Sequence, residues 1–276
     1  MRVIDSHVHF WRIGGPGQTW PDSAWPLLYQ DFGPTDLQAA VAGTEVAGIV
    51  LVQSQPDDRD TDWLLQTTAD TTFVSAVIGW VDLASATAST RISQLARHPK
   101  LRGLRPMLQG MADDDWILRP EVGDGLKAMM EHGLRFDVLV FPRHLAAMAK
   151  FFARYPDLAV VIDHGAKPAI ARGEIEPWRS RMRALARDFP VPCKLSGLVT
   201  EAAPGWSLET LRPYAETLIE IFGPARLMWG SDWPVVNVAG DYPGWFAVAR
   251  QLTAQLSVTD RDAIFGGTAA RFYGLD

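Results

Sequence analysis

The 276-residue chain reads as an α/β protein built as a (β/α)8 TIM barrel, a single domain over residues 1–276 with a long loop after its first strand. Three observations predict this. Short apolar runs alternate with amphipathic stretches from one end to the other. The runs number eight. Titratable and polar residues recur at the C-terminal ends of those runs, the edge on which such a barrel carries its active site.

The expected strands cover residues 2–9, 48–53, 73–80, 102–108, 136–141, 159–164, 192–197 and 226–232. Cores such as Gly48-Ile49-Val50-Leu51-Val52 and Phe136-Asp137-Val138-Leu139-Val140-Phe141 are nearly continuous apolar runs, as strands covered on both faces require. Helical patterns fill the gaps. Pro34-Thr35-Asp36 starts one that stops at Gly43, and others are expected over 62–69, 86–97, 125–131 and 143–155. The stretch 143–155 spaces Leu145, Met148, Phe151 and Phe152 along one helical face before Pro156. Helices over 176–189, 208–222, 242–256 and 259–273 complete the series. No glycine-rich phosphate loop follows the first strand, which disfavours a doubly wound open sheet. The irregular segment 12–33 is too long for a simple connection, and a pocket wall or lid is expected there.

Composition narrows the function. The chain carries 26 Lys and Arg against 32 Asp and Glu, a net charge of −6, with no basic run; nucleic acid is not an expected partner. No apolar stretch approaches the ~20 residues needed to span a bilayer, so no membrane partner is expected. Asp5 and His7 interrupt any signal-peptide pattern, and a cytoplasmic location is expected by default. Cys193 is the sole cysteine, which excludes an intrachain disulfide and a cysteine-built zinc site. Of the 11 tryptophans, Trp11, Trp20, Trp25, Trp206 and Trp233 lie in loop-like surroundings suited to walling a pocket.

The strand ends hold the candidate chemistry. His7 and His9, at i and i+2 on one strand, face the same side and can hold a divalent ion or aim at a substrate. The second strand ends in Gln53, the fourth carries Arg105 and Gln109, and Arg143 and His144 follow the fifth. Asp163-His164 closes the sixth, Lys194 and Ser196 lie on the seventh with Thr200 and Glu201 behind, and Asp232-Trp233 ends the eighth.

These residues carry a resemblance. Asp5-Ser6-His7-Val8-His9-Phe10-Trp11, Asp163-His164-Gly165-Ala166-Lys167-Pro168, the stretch from Cys193 through Ala202 and the stretch from Arg226 through Val235 are similar to the amidohydrolase superfamily. Within it they resemble the sugar lactonases, the L-fuconolactonases and L-rhamnonolactonases. Two departures stand out: Pro106 occupies a place where those lactonases often have histidine, and Gly165-Ala166 reverses their usual Ala-Gly order. No lysine ends the fifth strand, which speaks against a lysine-bridged pair of metal ions.

The resemblance implies a hydrolase that opens a sugar-acid lactone to the aldonic acid, its small-molecule partner. Asp232 would be the general base and His164 a catalytic partner. His7, His9, His164 and Asp232 would hold one divalent ion, zinc, or work without a metal. Arg105, Lys194, Glu201, Trp233 and Gln53 would contact substrate, with Trp11 or Trp20 as further walls. The alternative is a metal-dependent decarboxylase or hydratase of an unsaturated acid on the same fold.

Overall fold

The computed structural model describes residues 2–15 and 17–275. Its eight strands are β1 Val3–Val8, β2 Val46–Val52, β3 Val74–Gly79, β4 Leu101–Leu104, β5 Arg135–Val138, β6 Val160–Ile162, β7 Cys193–Leu195 and β8 Leu227–Trp229. All neighbours pair in parallel, in chain order, within one sheet. Each expected strand is present, in most cases shortened at its ends. β4 stops at Leu104, because Pro106 has no N–H to extend the ladder.

The helices are α1 Pro34–Ala40, α2 Asp58–Thr67, α3 Ala88–Leu95, α4 Gly123–Glu131, α5 Leu145–Arg154, α6 Trp178–Asp188, α7 Leu208–Phe222, α8 Tyr242–Leu252, α9 Val258–Asp262 and α10 Thr268–Tyr273. α2 begins four residues earlier than its apolar pattern suggests, because the Asp57 side chain accepts the Arg59 N–H and caps it. The single helix expected over 259–273 is broken by a π-helical turn at Ala263–Gly267. Gly266 passes so close to β1 there that any Cβ would collide with the Arg2 carbonyl.

Side-chain alternation sorts the core into two shells. Ile49, Leu51 and Val77 point outward to the helices, while Val50, Val52, Ala76 and Ile78 point into the barrel. The interior cluster continues through Ile4, Val161 and Met228 and is capped at the N-terminal end by Ala269 and Tyr273 of α10. Among the described residues no helix is long and apolar enough to cross a membrane.

The barrel closes between β1 and the segment after β8. His9 N–H donates to the Trp233 carbonyl at 2.7 Å, and Asp232 N–H donates to the His7 carbonyl at 2.8 Å. This closure forces the two histidines of β1 against Asp232.

Candidate active site

Asp5 holds the seam from behind. Its carboxylate accepts the N–H groups of His7 (3.1 Å) and Ser231 (2.9 Å) and the Tyr242 hydroxyl (2.8 Å). Complete burial pushes this carboxyl up to about 6 despite those donors. In front of it β1 departs from regular register between Asp5 and Val8. The His7 and His9 rings converge, their Nε2 atoms 3.1 Å apart. His9 Nδ1 lies 2.8 Å from the Val52 carbonyl. A carbonyl only accepts, so Nδ1 carries the proton and Nε2 turns a lone pair toward the site.

The third imidazole comes from a strained turn. His164, Gly165, Ala166 and Lys167 all adopt positive φ, at 51°, 58°, 57° and 50°. A left-handed conformation costs non-glycine residues about 1–2 kcal/mol each, so the surroundings must impose it. Trp178 Nε1 donates to the Gly165 carbonyl at 2.7 Å, and Ser196 Oγ meets His164 Nδ1 at 2.8 Å. Because residues 165 and 166 are both left-handed, reversing the Gly-Ala order moves the glycine without changing the path. The turn sends His164 and Lys167 toward the same cavity. Gly197 makes room, since a Cβ there would stand 2.7 Å from His164 Cγ.

Asp232, also at positive φ (59°), gathers the three rings. Its Oδ1 lies 3.3 Å from His9 Nε2 and 3.8 Å from the Nε2 atoms of both His7 and His164. Burial works to raise its carboxyl, but the neighbouring His164, His9 and Lys167 together hold it below the ordinary carboxylate value. Burial, reinforced by the cations around them, lowers all three histidines, His7 and His164 most strongly. Near neutral pH the floor is therefore an ionised carboxylate among neutral imidazoles.

Above this floor opens a cavity of about 460 Å³. His9, His164, Asp232 and Arg105 lie at its polar side with Lys167 and Glu201, whose charged groups are 2.9 Å apart. Trp20 and Trp25 of the long loop, with Met107, Leu139, Phe141 and Val235, form the apolar side. The 12–33 segment thus serves as a wall, tied down where Gln55 bonds to Trp20 and Trp11 pairs with Phe32.

Three expected substrate contacts stand elsewhere. Gln53 is fully buried and its amide donates to the Arg105 carbonyl. Trp233 packs edge-on against Phe10 and Phe32 beneath the cavity. Lys194 points into the barrel, where Asp137 (2.6 Å), Asp163 (3.0 Å) and His7 Nδ1 (3.0 Å) surround its ammonium. Each is consumed by a structural partner, so none lines the cavity. Trp11 is likewise buried, with its indole N–H on the Leu28 and Gln30 carbonyls. His144 caps its own turn through the Phe141 N–H, and Arg143 pairs with Asp114. Trp20 and Trp25 were expected as walls, whereas Met107, Leu139, Phe141 and Val235 escaped the residue-type reading, and Lys167 was visible only as a member of its motif.

The donor set also bears on a metal. Among the described residues, His7, His9 and Asp232 offer ligand atoms that all lie within 4.8 Å of one another. Two imidazoles and a carboxylate at this separation suit one divalent ion of the zinc type. His164, expected as a fourth ligand, falls outside that group, although its Nε2 lies 3.8 Å from Asp232 Oδ1.

The model of the amidohydrolase family matches residues 4–275. The chain belongs to that family. An L-fucono-1,5-lactonase of Burkholderia ambifaria is 48% identical to this amidohydrolase over 277 residues, covering 99% of this chain and 96% of that protein. A second L-fucono-1,5-lactonase, from Burkholderia multivorans, is 36% identical over 284 residues, again covering 99% and 96%. A crystal structure of a Burkholderia multivorans amidohydrolase with bound zinc superposes with a TM-score of 0.93 at 34% identity, and each chain is covered completely. The superposition agrees with the eight-stranded barrel described above.

Proposed function

We propose that this amidohydrolase opens a sugar-acid lactone, of the L-fucono- or L-rhamnono-lactone type, to the aldonic acid. The observation that carries the reading is the floor of the cavity: one carboxylate oxygen within 3.8 Å of three imidazole nitrogens. The relatives that hydrolyse L-fucono-1,5-lactone support it by their identity over nearly the whole chain.

Asp232 Oδ1 accepts a proton from a water as that water attacks the lactone carbonyl. With Ser196 Oγ donating to His164 Nδ1, His164 Nε2–H points into the cavity and stabilises the oxyanion. Arg105, buried but cavity-lining, adds positive charge on the same side. Asp232 then returns the proton to the departing ring oxygen. Lys167 and Glu201 bond the sugar hydroxyls, while Trp20 and Trp25 cover the C–H face. A zinc-type ion held by His7, His9 and Asp232 would add Lewis-acid polarisation of the carbonyl.

A decarboxylase or hydratase acting on a diacid needs several cations to bind its substrate. Arg105 and Lys167 are the cavity's cationic side chains, and Lys167 is already paired with Glu201. The test is a pH-indicator assay across aldonolactones that includes L-fucono-1,5-lactone, run beside aromatic acids. Enzyme-dependent proton release from a lactone is expected. Background release from every lactone together with carbon dioxide from an acid would replace this reading with the lyase.

A further inference from the structure

The wall that the long loop raises over the cavity is fastened to the barrel by one side chain. Among the described residues, every hydrogen bond from the stretch 17–27 to a residue outside the 12–33 loop ends on Gln55. Its Oε1 accepts the Thr19 N–H at 2.9 Å and the Trp20 N–H at 3.3 Å. Its Nε2 donates to the Trp20 carbonyl at 2.6 Å and to Ser54 Oγ at 3.0 Å. A carboxamide has two lone pairs and two hydrogens to place, and all four are used. The partners also fix its orientation, because two N–H groups must face the oxygen and a carbonyl must face the nitrogen.

The barrel side of this clasp is rigid. Gln55 follows β2 and is 1% exposed. The N–H groups of Ser54 and Gln55 both donate to Asp60 Oδ2 of α2, at 3.0 and 3.3 Å. The loop side has little else to hold it. Residues 22–27 are all exposed, and the bonds within them are local turns such as Trp25 N–H to the Asp22 carbonyl. A segment with so few buried contacts belongs to the part of a fold that opens first. From the clasped backbone, order passes along the rings. The Trp20 indole stands edge-on to buried Trp11 at 5.3 Å and to Trp25 at 6.2 Å, and Trp25 is 45% exposed.

We infer that Gln55 is a positioning residue that holds the Trp20–Trp25 wall at the cavity and so governs how tightly substrate is captured. Gln55 does not itself line the cavity, so it acts through Trp20. The wall covers the sugar and not the reacting carbonyl. Its contacts are made alike with bound substrate and transition state, and losing them weakens binding without slowing the chemical step.

Amide hydrogen exchange resolved at Thr19 and Trp20 tests the clasp, with the β2 amides of Val50 and Leu51 as internal reference. Both loop amides should be protected in the wild type. In Gln55→Met, which keeps the length of the side chain and removes its polar atoms, they should exchange roughly tenfold faster or more while β2 is unchanged. Wild-type Thr19 and Trp20 amides that exchange like an unbonded chain overturn the inference, even if the variant fails to fold. So does a folded Gln55→Met protein in which both keep their protection. The kinetic arm rests on the lactonase reading. KM should rise roughly three- to tenfold in Gln55→Met with kcat nearly unchanged, and Trp20→Ala added to it should raise KM little further. A fall in kcat at constant KM, or effects of the two substitutions that simply multiply, overturns action through Trp20. A wild type inactive on every lactone would instead refute the proposed function and leave the exchange rates to decide the clasp.

Discussion

At the N-terminal end of the barrel, Ile4, Val50, Ala76, Val161 and Met228 pack against Ala269 and Tyr273. At the other end, a few residues along the same strands, the chain carries four non-glycine residues at positive φ: His164, Ala166, Lys167 and Asp232. Three imidazoles and a carboxylate crowd one another there. The strand ladder is common to both ends, but the energetics differ. The N-terminal layer gains stability by excluding water from apolar surface, and none of its residues named above has a positive φ. The mouth holds left-handed turns and desolvated polar groups that the rest of the fold must offset. Substitutions in the N-terminal layer should therefore cost stability, and substitutions in the mouth should cost rate.

The largest separation is expected from Met228→Ala. Met228 is fully buried, and truncation in a core costs roughly 2–5 kcal/mol. Denaturant titration should show that loss while kcat of the folded fraction stays near wild type; a large fall in kcat would break the division. Gly197→Ala works at the mouth. A Cβ there meets the His164 ring at 2.7 Å and forces alanine into a φ of +64°. Displacing a catalytic ring by about 1 Å costs on the order of 10²-fold, so kcat should drop far more than the apparent melting temperature implies.

Asp60 offers a titration outside both regions. It is buried, accepts the Ser54 and Gln55 N–H groups, and is pushed up to about 6 by burial. The folded state thus holds its proton more tightly than the unfolded chain does. The contribution is fully present below the unfolded value and is lost as pH rises through about 6. The stability difference between wild type and Asp60→Asn should shift toward the variant by about 2–3 kcal/mol from pH 4 to pH 7. A difference independent of pH would refute the assignment. The smallest effect is expected from Lys167→Met, which removes a partly exposed pair with Glu201. Such pairs contribute about 0–1 kcal/mol to stability. KM for the lactone should nevertheless rise roughly three- to tenfold, through a lost bond to the sugar; an unchanged KM would exclude Lys167 from substrate contact.

The same contrast explains what the sequence discloses. Apolar layer and ladder were legible because an apolar run such as Gly48-Ile49-Val50-Leu51-Val52 has little choice but to be a strand covered on both faces. His7, His9, His164 and Asp232 were legible because titratable residues ending such runs need a reason. The fate of Lys194 was not. Its type suggests a group for substrate, but inward parity on a buried strand demands partners, and those lie on β5 and after β6, far away in sequence. Gln53 and Trp233 likewise stand away from the cavity lining: a strand-end position does not say which way packing turns a side chain. The left-handed turn at His164–Lys167 left a trace only in its glycine, and the break in the last helix depends on the close approach of Gly266 to β1.

The account rests on Asp232 acting as the base, and the direct measurement is kcat, KM and melting temperature of Asp232→Asn on a single preparation. The amide nearly matches the carboxylate in shape and leaves the backbone bond to His7 intact. It cannot take a proton from water, and general-base assistance is worth about 10²–10⁴ in rate. The account predicts a loss of that size in kcat, a much smaller change in KM and a melting temperature close to wild type. A folded Asp232→Asn enzyme that opens the lactone at the wild-type rate, or one that loses activity only in proportion to its loss of fold, would contradict it.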